Sequence, residues 1–146
     1  PAKTGPVPVG DELWFYYFGA RSAEREDVEN WSFSIGLAKL RRDGFTSLNA
    51  GQTPGRIITR PMTFAGKKVF VNADVAENGW VKAALLTRDS EPLPSYTLDD
   101  SIPLAKDTAK GGMSWKAKKA IVRPDESHVR LVFQLKNAKL YSFRIE

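Results

Sequence analysis

Trp80 has the residue type and the neighbours that suit stacking on a sugar ring. In the segment WVKAALLT it alternates onto the same face as Lys82, whereas the odd-numbered residues 81 to 85 form a more uniformly apolar face. This alternation predicts a partly exposed indole, which can pack on the apolar side of a pyranose, with the Lys82 ammonium free to donate hydrogen bonds to hydroxyls or to pair with an acidic sugar. Alternatively, Ala84 and Leu86 mark this face as buried too, and the pattern leaves both interpretations open.

Two further aromatic residues lie among polar neighbours. Trp31 follows the charged segment REDVEN, and Tyr96 lies in PLPSYTLDD, whose prolines favour a stiff surface loop. One or the other is predicted to help Trp80 in any sugar contact. Trp115, in MSWK, is predicted to lie in the core.

Catalytic groupings of side chains are not evident in the sequence. Glu24, Glu26, Asp27 and Glu29 fall in one polar stretch, where mutual repulsion favours solvent over a spaced acid and base pair. Ser127 and His128 follow Asp125 closely, but adjacency in sequence does not build a catalytic triad. The sequence therefore predicts that this chain is not itself an enzyme.

Metal and cofactor chemistry has little support. The chain has no cysteine and one histidine, which excludes thiolate sites and histidine-rich clusters. Asp99, Asp100 and Asp107 flank proline-containing turns and could supply oxygen ligands to a structural calcium ion, but their role as turn formers is favoured. No cofactor is predicted.

The net charge of +5 makes nucleic-acid binding a possibility to test, because proteins that bind the phosphate backbone gather basic residues on one surface. The basic clusters here are short and fall in separate turns near acids: Arg41 with Arg42, Lys67 with Lys68, and Lys116 with Lys118 and Lys119. A solvated surface is favoured over nucleic-acid binding. No segment has the length of a membrane span, so neither nucleic acid nor membrane is a predicted partner.

Alternating apolar and polar residues predict strands almost throughout. In VRLVFQLK, the side chains of Val129, Leu131, Phe133 and Leu135 share one face, and KKVFVNADV alternates in the same way. Turn residues follow each segment, Asn137-Ala138 and Glu77-Asn78-Gly79, and predict two hairpins. The predicted fold is an all-β, antiparallel β-sandwich, jelly-roll-like, with almost no helix.

The run LWFYYF, Leu13 to Phe18, is apolar at every position and so needs cover on both faces. Trp14, Tyr16 and Phe18 are predicted to share one face, and Phe15 and Tyr17 the other. Packing in a core or against another domain is favoured over sugar stacking at this run.

Four segments carry a resemblance to a known family: GDELWFYYFGA, IGLAKLRRDGFTSLNAG, RPMTFAGKKVFVNADV and VRLVFQLKNAKLYSFRIE. In this order they resemble the C-terminal region of bacterial glycoside-hydrolase-like proteins, in which a five-bladed β-propeller precedes a β-sandwich accessory domain. The resemblance implies a single sandwich domain over residues 1–146, with residues 1–45 including the end of the propeller as an alternative. It also implies catalytic carboxylates upstream of Pro1 and an extracellular or periplasmic, secreted location.

These observations together predict a non-catalytic accessory module of a carbohydrate-active protein. Its expected partners are a polysaccharide or oligosaccharide and the catalytic domain of the same polypeptide. The alternative is a purely structural β-sandwich that packs against a neighbouring domain and binds no ligand.

Overall fold

A computed structural model describes residues 5–21, 32–122 and 128–146. The chain divides into two compact units, Pro1–Phe45 and Thr46–Glu146. The boundary coincides with the end of residues 1–45, the segment that the family resemblance could assign to a propeller. Its assignment to a propeller remains a prediction.

The first unit contains a three-stranded antiparallel sheet in the order β1-β2-β3, with β1 over Val7–Val9, β2 over Glu12–Arg21 and β3 over Ser32–Arg41. The register pairs Tyr16 with Leu37 and Phe18 with Ile35, so these side chains share one face of the sheet. Phe15 and Tyr17 alternate onto the other face, as predicted.

The aromatic run of β2 is not buried as expected. Tyr16 is 58% exposed and Phe18 is 68% exposed, and Tyr17 is exposed as well. Phe18 stacks on Phe33 with 5.3 Å between ring centroids, while the Tyr17 ring lies across Gly36, which has no side chain to exclude it. The prediction of core packing is wrong for residues 16–18, whose rings are exposed on a three-stranded sheet, and the alternative of packing against another domain stays a prediction.

The second unit contains the remaining strands: β4 (Leu48–Ala50), β5 (Gly55–Ile58), β6 (Val69–Thr87), β7 (Ser101–Ile102), β8 (Thr108–Gly112), β9 (Ser114–Trp115) and β10 (Val129–Ile145). Five of them form a sheet in the order β4-β10-β6-β8, with β5 also paired to β10, and β7 pairs with β9. All pairings are antiparallel, and the described residues contain no helix. The prediction of an all-β, sandwich-like fold is confirmed.

The two predicted hairpin turns are wrong. Glu77-Asn78-Gly79 and Asn137 lie inside the long strands β6 and β10, which pair with each other along nearly their whole length. The register jumps from Ala138↔Val75 to Lys136↔Trp80, so several residues of β6 lie opposite Asn137 alone, which is a β-bulge. Asn78 and Asn137 have positive φ, at 59° and 43°. Bulges and turns both need such residues, which explains the error.

The core of the second unit lies on one face of β6 and β10. Leu131 and Phe133 have no exposed surface and Leu135 is almost fully buried, which confirms the predicted face of β10. Trp115 is buried as predicted, and its Nε1–H donates a hydrogen bond to the Ala83 carbonyl at 2.8 Å. The buried side chains that cover this face come from the segments that follow β6, namely Tyr96, Met113, Trp115 and Ile121, and the partly buried Met62 and Phe64 add to them from the segment before it.

Candidate ligand-binding face around Trp80

Trp80 is placed by the bulge that precedes it. Gly79 is buried against β10, where a Cβ atom would meet the carbonyl oxygens of Asn137, Ala76 and Lys136. After the bulge, Val81 and the following odd-numbered residues point into the core, so Trp80 and Lys82 lie on the outer face of the sheet. Trp80 is partly exposed, as its alternation with polar residues predicts.

Neighbouring strands add polar side chains beside the indole. The register aligns Lys82 of β6, Gln134 of β10 and Arg56 of β5 in one row, and it places Lys136 directly opposite Trp80. Paired residues of antiparallel strands share a face, and adjacent strands are about 4.8 Å apart, so this row spans about 10 Å. We call this surface the Trp80 face: Arg56, Trp80, Lys82, Gln134 and Lys136.

The indole has a cation over its ring. The Lys82 Nζ lies 5.4 Å from the centroid of the Trp80 ring, within cation–π range. A sugar that stacked on this side of the ring would therefore meet an ammonium donor and would have to displace it from the ring.

The charge of the Trp80 face is positive. It has three cationic side chains and no carboxylate, and within the described parts of the chain none of the three belongs to an ion pair. The donors of Arg56, Lys82 and Lys136 are thus available to hydroxyls or to anions.

The alternative prediction, that this face is buried, holds farther along the same strands. Ala84 and its cross-strand partner Val132 are both buried although they lie on the outer face. Leu86 forms an isolated bridge with Pro92 at the sheet edge. The outer face is therefore buried at Ala84 and Val132, in the row next to Lys82, although Ile58 at the end of that row is exposed.

Tyr96 is not available for stacking, so the prediction that places it on an exposed loop is wrong. It is 6% exposed; its hydroxyl donates to the Ala120 carbonyl at 3.2 Å and accepts from the Val122 N–H at 2.8 Å. Its ring packs edge-on against Trp115, with 5.1 Å between centroids. The prolines do stiffen this loop, but the Leu85 N–H donates to the Tyr96 carbonyl and holds the loop on the sheet.

Several other predicted residues lie outside the described part of the chain. They are Trp31, the carboxylates Glu24, Glu26, Asp27 and Glu29, and the pair Asp125 and Ser127. His128 is described and exposed.

Asp100, one of the aspartates considered for calcium, has a protein partner. The Asp100 carboxylate accepts hydrogen bonds from the Thr97 hydroxyl at 2.7 Å and from the Thr97 N–H at 3.2 Å, and these bonds lower the pKa of Asp100 below its ordinary value. No group of three His, Cys, Asp or Glu side chains suited to a metal ion occurs in the described residues. The described residues likewise contain no helix of a length and apolarity that could cross a membrane.

Basic residues that the sequence assigned to separate turns meet in the fold. Lys68 lines the same cleft as Lys116, Lys118 and Lys119, close to the start of β6. Arg56, Gln134 and Lys136 of the Trp80 face were not among the predicted site residues, because strand register, which local residue patterns do not specify, brings them to Trp80.

Comparison with known proteins gives no assignment: no protein-family model, curated protein or solved structure matches the chain.

Proposed function

We propose that the second unit is a non-catalytic module that binds a glycan on the Trp80 face. The observation that carries the proposal is the partly exposed indole beside a row of three hydrogen-bonding side chains on a paired sheet. Strands hold such groups more firmly than loops do, so the surface requires little ordering when a ligand arrives.

Each member of the face has a role in sugar recognition. The Trp80 indole packs on the apolar side of a pyranose, and Lys82 and Lys136 donate hydrogen bonds to its hydroxyls. Gln134 can both donate and accept, which matches the hydroxyl groups of a sugar. Arg56 extends the donors to a neighbouring sugar residue.

The proposal includes no glycoside hydrolysis by this chain. That reaction commonly requires two carboxyl groups on either side of the scissile bond, and the Trp80 face contains none. In line with the family resemblance of the sequence, the proposed module belongs to a secreted bacterial carbohydrate-active protein whose catalytic domain lies elsewhere in the polypeptide.

A screen of the purified chain against neutral and acidic polysaccharides tests glycan binding. Trp80→Ala should weaken binding by at least about 1 kcal/mol, or about fivefold, without changing the melting temperature much. Tyr16→Ala is the matched control, because it removes an exposed aromatic ring from the other unit. Equal binding by the wild type and Trp80→Ala, or unfolding of Trp80→Ala, would contradict the proposal.

The same purified chain should release no sugar from any polysaccharide in the screen. Hydrolysis that is lost in Asp99→Asn or Asp107→Asn would show that the chain has catalytic chemistry of its own.

A second candidate function is packing against another domain, and the first unit supplies the observation that favours it. Tyr16, Phe18, Phe33 and Ile35 form an exposed apolar group on one face of its sheet. Exposed apolar patches of this kind mark interaction surfaces. A failed glycan screen, together with self-association that Ile35→Ser abolishes, would favour this structural role.

A further inference from the structure

A lysine-rimmed cleft in the second unit is separate from the Trp80 face. Its volume is about 450 Å³, within the range of small-molecule pockets. Phe70 and the exposed Ile102 contribute apolar side chains to its lining, which also includes four lysines: Lys68, Lys116, Lys118 and Lys119.

The cleft is far from the Trp80 face on the same sheet. Phe70 pairs with Arg144 and Trp80 pairs with Lys136, so their partners are eight residues apart on β10. At about 3.3 Å per residue, this separation is roughly 25 Å. A single small ligand cannot occupy both surfaces.

Backbone hydrogen bonds hold the lysine-bearing segments together. The Lys68 N–H donates to the Glu146 carbonyl at 2.8 Å, next to the first residue of β6. Across the cleft, the Trp115 N–H donates to the Lys118 carbonyl at 2.8 Å, and the Lys118 N–H donates back to the Trp115 carbonyl at 3.0 Å. The Ile121 N–H donates to the Lys67 carbonyl and joins the two segments directly.

No acidic side chain lines the cleft. Within the described residues, none of its four lysines forms an ion pair within 4 Å. The Asp100 carboxylate accepts from Thr97 and interacts with Lys116 only at longer range, and the Glu146 carboxylate pairs with Lys110 at 2.8 Å and with Arg144 at 3.5 Å. Four ammonium groups around one concavity repel one another, and an anion placed among them lowers that repulsion.

We propose that this cleft binds a compact organic ligand that carries at least two sulfate or phosphate groups. Lysine ammonium groups act as point charges and do not impose the two-pronged geometry with which arginine selects carboxylates. Several lysines around an apolar floor therefore fit a small body with several anionic groups. This inference does not rest on the proposed glycan binding at the Trp80 face.

Titration calorimetry with the whole chain tests the proposal, with a trisulfated disaccharide and fructose 1,6-bisphosphate as probes. We expect at least one probe to bind, and its affinity to fall at least about tenfold between about 0.05 M and about 0.5 M salt, because screening weakens charge pairs. Preference for the disaccharide identifies a sulfated glycan fragment as the source, and preference for the bisphosphate identifies a free sugar phosphate.

The variant Lys116→Gln/Lys119→Gln should weaken binding at least about fivefold. Both side chains are exposed, so the variant should keep the wild-type fold. Amide chemical shifts in β10 that match those of the wild type would verify this. The matched control is Arg88→Gln/Lys106→Gln, which removes the same charge from exposed positions outside both the cleft and the Trp80 face. In the wild type, the probe should shift the amides of Gly112 and Ser114, which line the cleft.

Four outcomes would overturn the proposal. They are no binding of either probe at low salt, equal losses in the two double variants, equal affinity for inorganic sulfate, and tighter binding of a single-stranded oligonucleotide than of either probe. Equal losses would mean that net charge alone attracts anions. None of these outcomes affects the glycan screen with Trp80→Ala, so the two proposals fail separately.

Discussion

Gly79→Ala should destabilise the second unit because the new methyl group has no space. Its Cβ would lie against the Asn137 carbonyl oxygen, 2.8 Å from the Ala76 oxygen and 3.0 Å from the Lys136 oxygen. These are backbone atoms of the bulge and of the paired strand, so they cannot move away without disturbing the β6–β10 ladder. The φ of Gly79 is not positive, and the clash is therefore the cause of the expected effect.

The magnitude follows from two opposing contributions. Overpacking in a well-filled site costs about 1–3 kcal/mol, and a clash with backbone belongs in the upper half of that range. Alanine also restricts the unfolded chain, which stabilises the folded state by about 0.4–1 kcal/mol. The expected net loss is about 1–2.5 kcal/mol, which lowers the melting temperature by about 4–20 °C for a unit of this size.

Urea denaturation followed by tryptophan fluorescence measures this loss. Changing Trp14 and Trp31 to phenylalanine leaves Trp80 and the buried Trp115 as reporters, both in the second unit. The midpoint should fall while the slope stays constant, since the surface exposed on unfolding does not change.

Gly51→Ala is the matched control. No atom lies within 4 Å of the Cβ that this substitution adds, so the variant should be neutral or slightly more stable than the wild type. If Gly79→Ala and Gly51→Ala have the same stability, Gly79 does not lie against β10 and the bulge is wrongly placed.

The remaining predictions concern Tyr96 and Asp100. Tyr96→Ala should destabilise the second unit by about 3–5 kcal/mol, as expected for a buried aromatic ring. Tyr96→Phe should destabilise it by about 1 kcal/mol, because the hydrogen bonds of the hydroxyl are lost. If urea denaturation gives Tyr96→Ala the stability of the wild type, the ring lies on the surface. The hydrogen bonds from Thr97 lower the pKa of Asp100, so they stabilise the folded state wherever the pH is above the ordinary pKa of an aspartate. This contribution is lost as the pH falls below about 4 and passes through the lowered pKa of Asp100. Urea midpoints measured down through that range should fall less steeply for Asp100→Asn, and an unchanged pH dependence would contradict this role.

Glycan binding remains a prediction whose residues the sequence named only in part. Alternation was enough to place Trp80 and Lys82 together on the outer face, because successive side chains of a strand point to opposite sides. It did not reveal Arg56, Gln134 and Lys136, since cross-strand neighbours depend on register between segments that are far apart in the chain.

The sequence by itself determined the all-β class and the buried face of β10, because a two-residue period of apolar side chains requires a sheet with one covered face. Only the tertiary structure decided whether Asn78 and Asn137 end a strand or interrupt it, since the positive φ at these residues serves a turn and a bulge equally. It also decided that the loop carrying Tyr96 covers the core and that Lys68 meets Lys116 to Lys119. Both outcomes depend on backbone hydrogen bonds between distant segments, which no local pattern of residue types encodes.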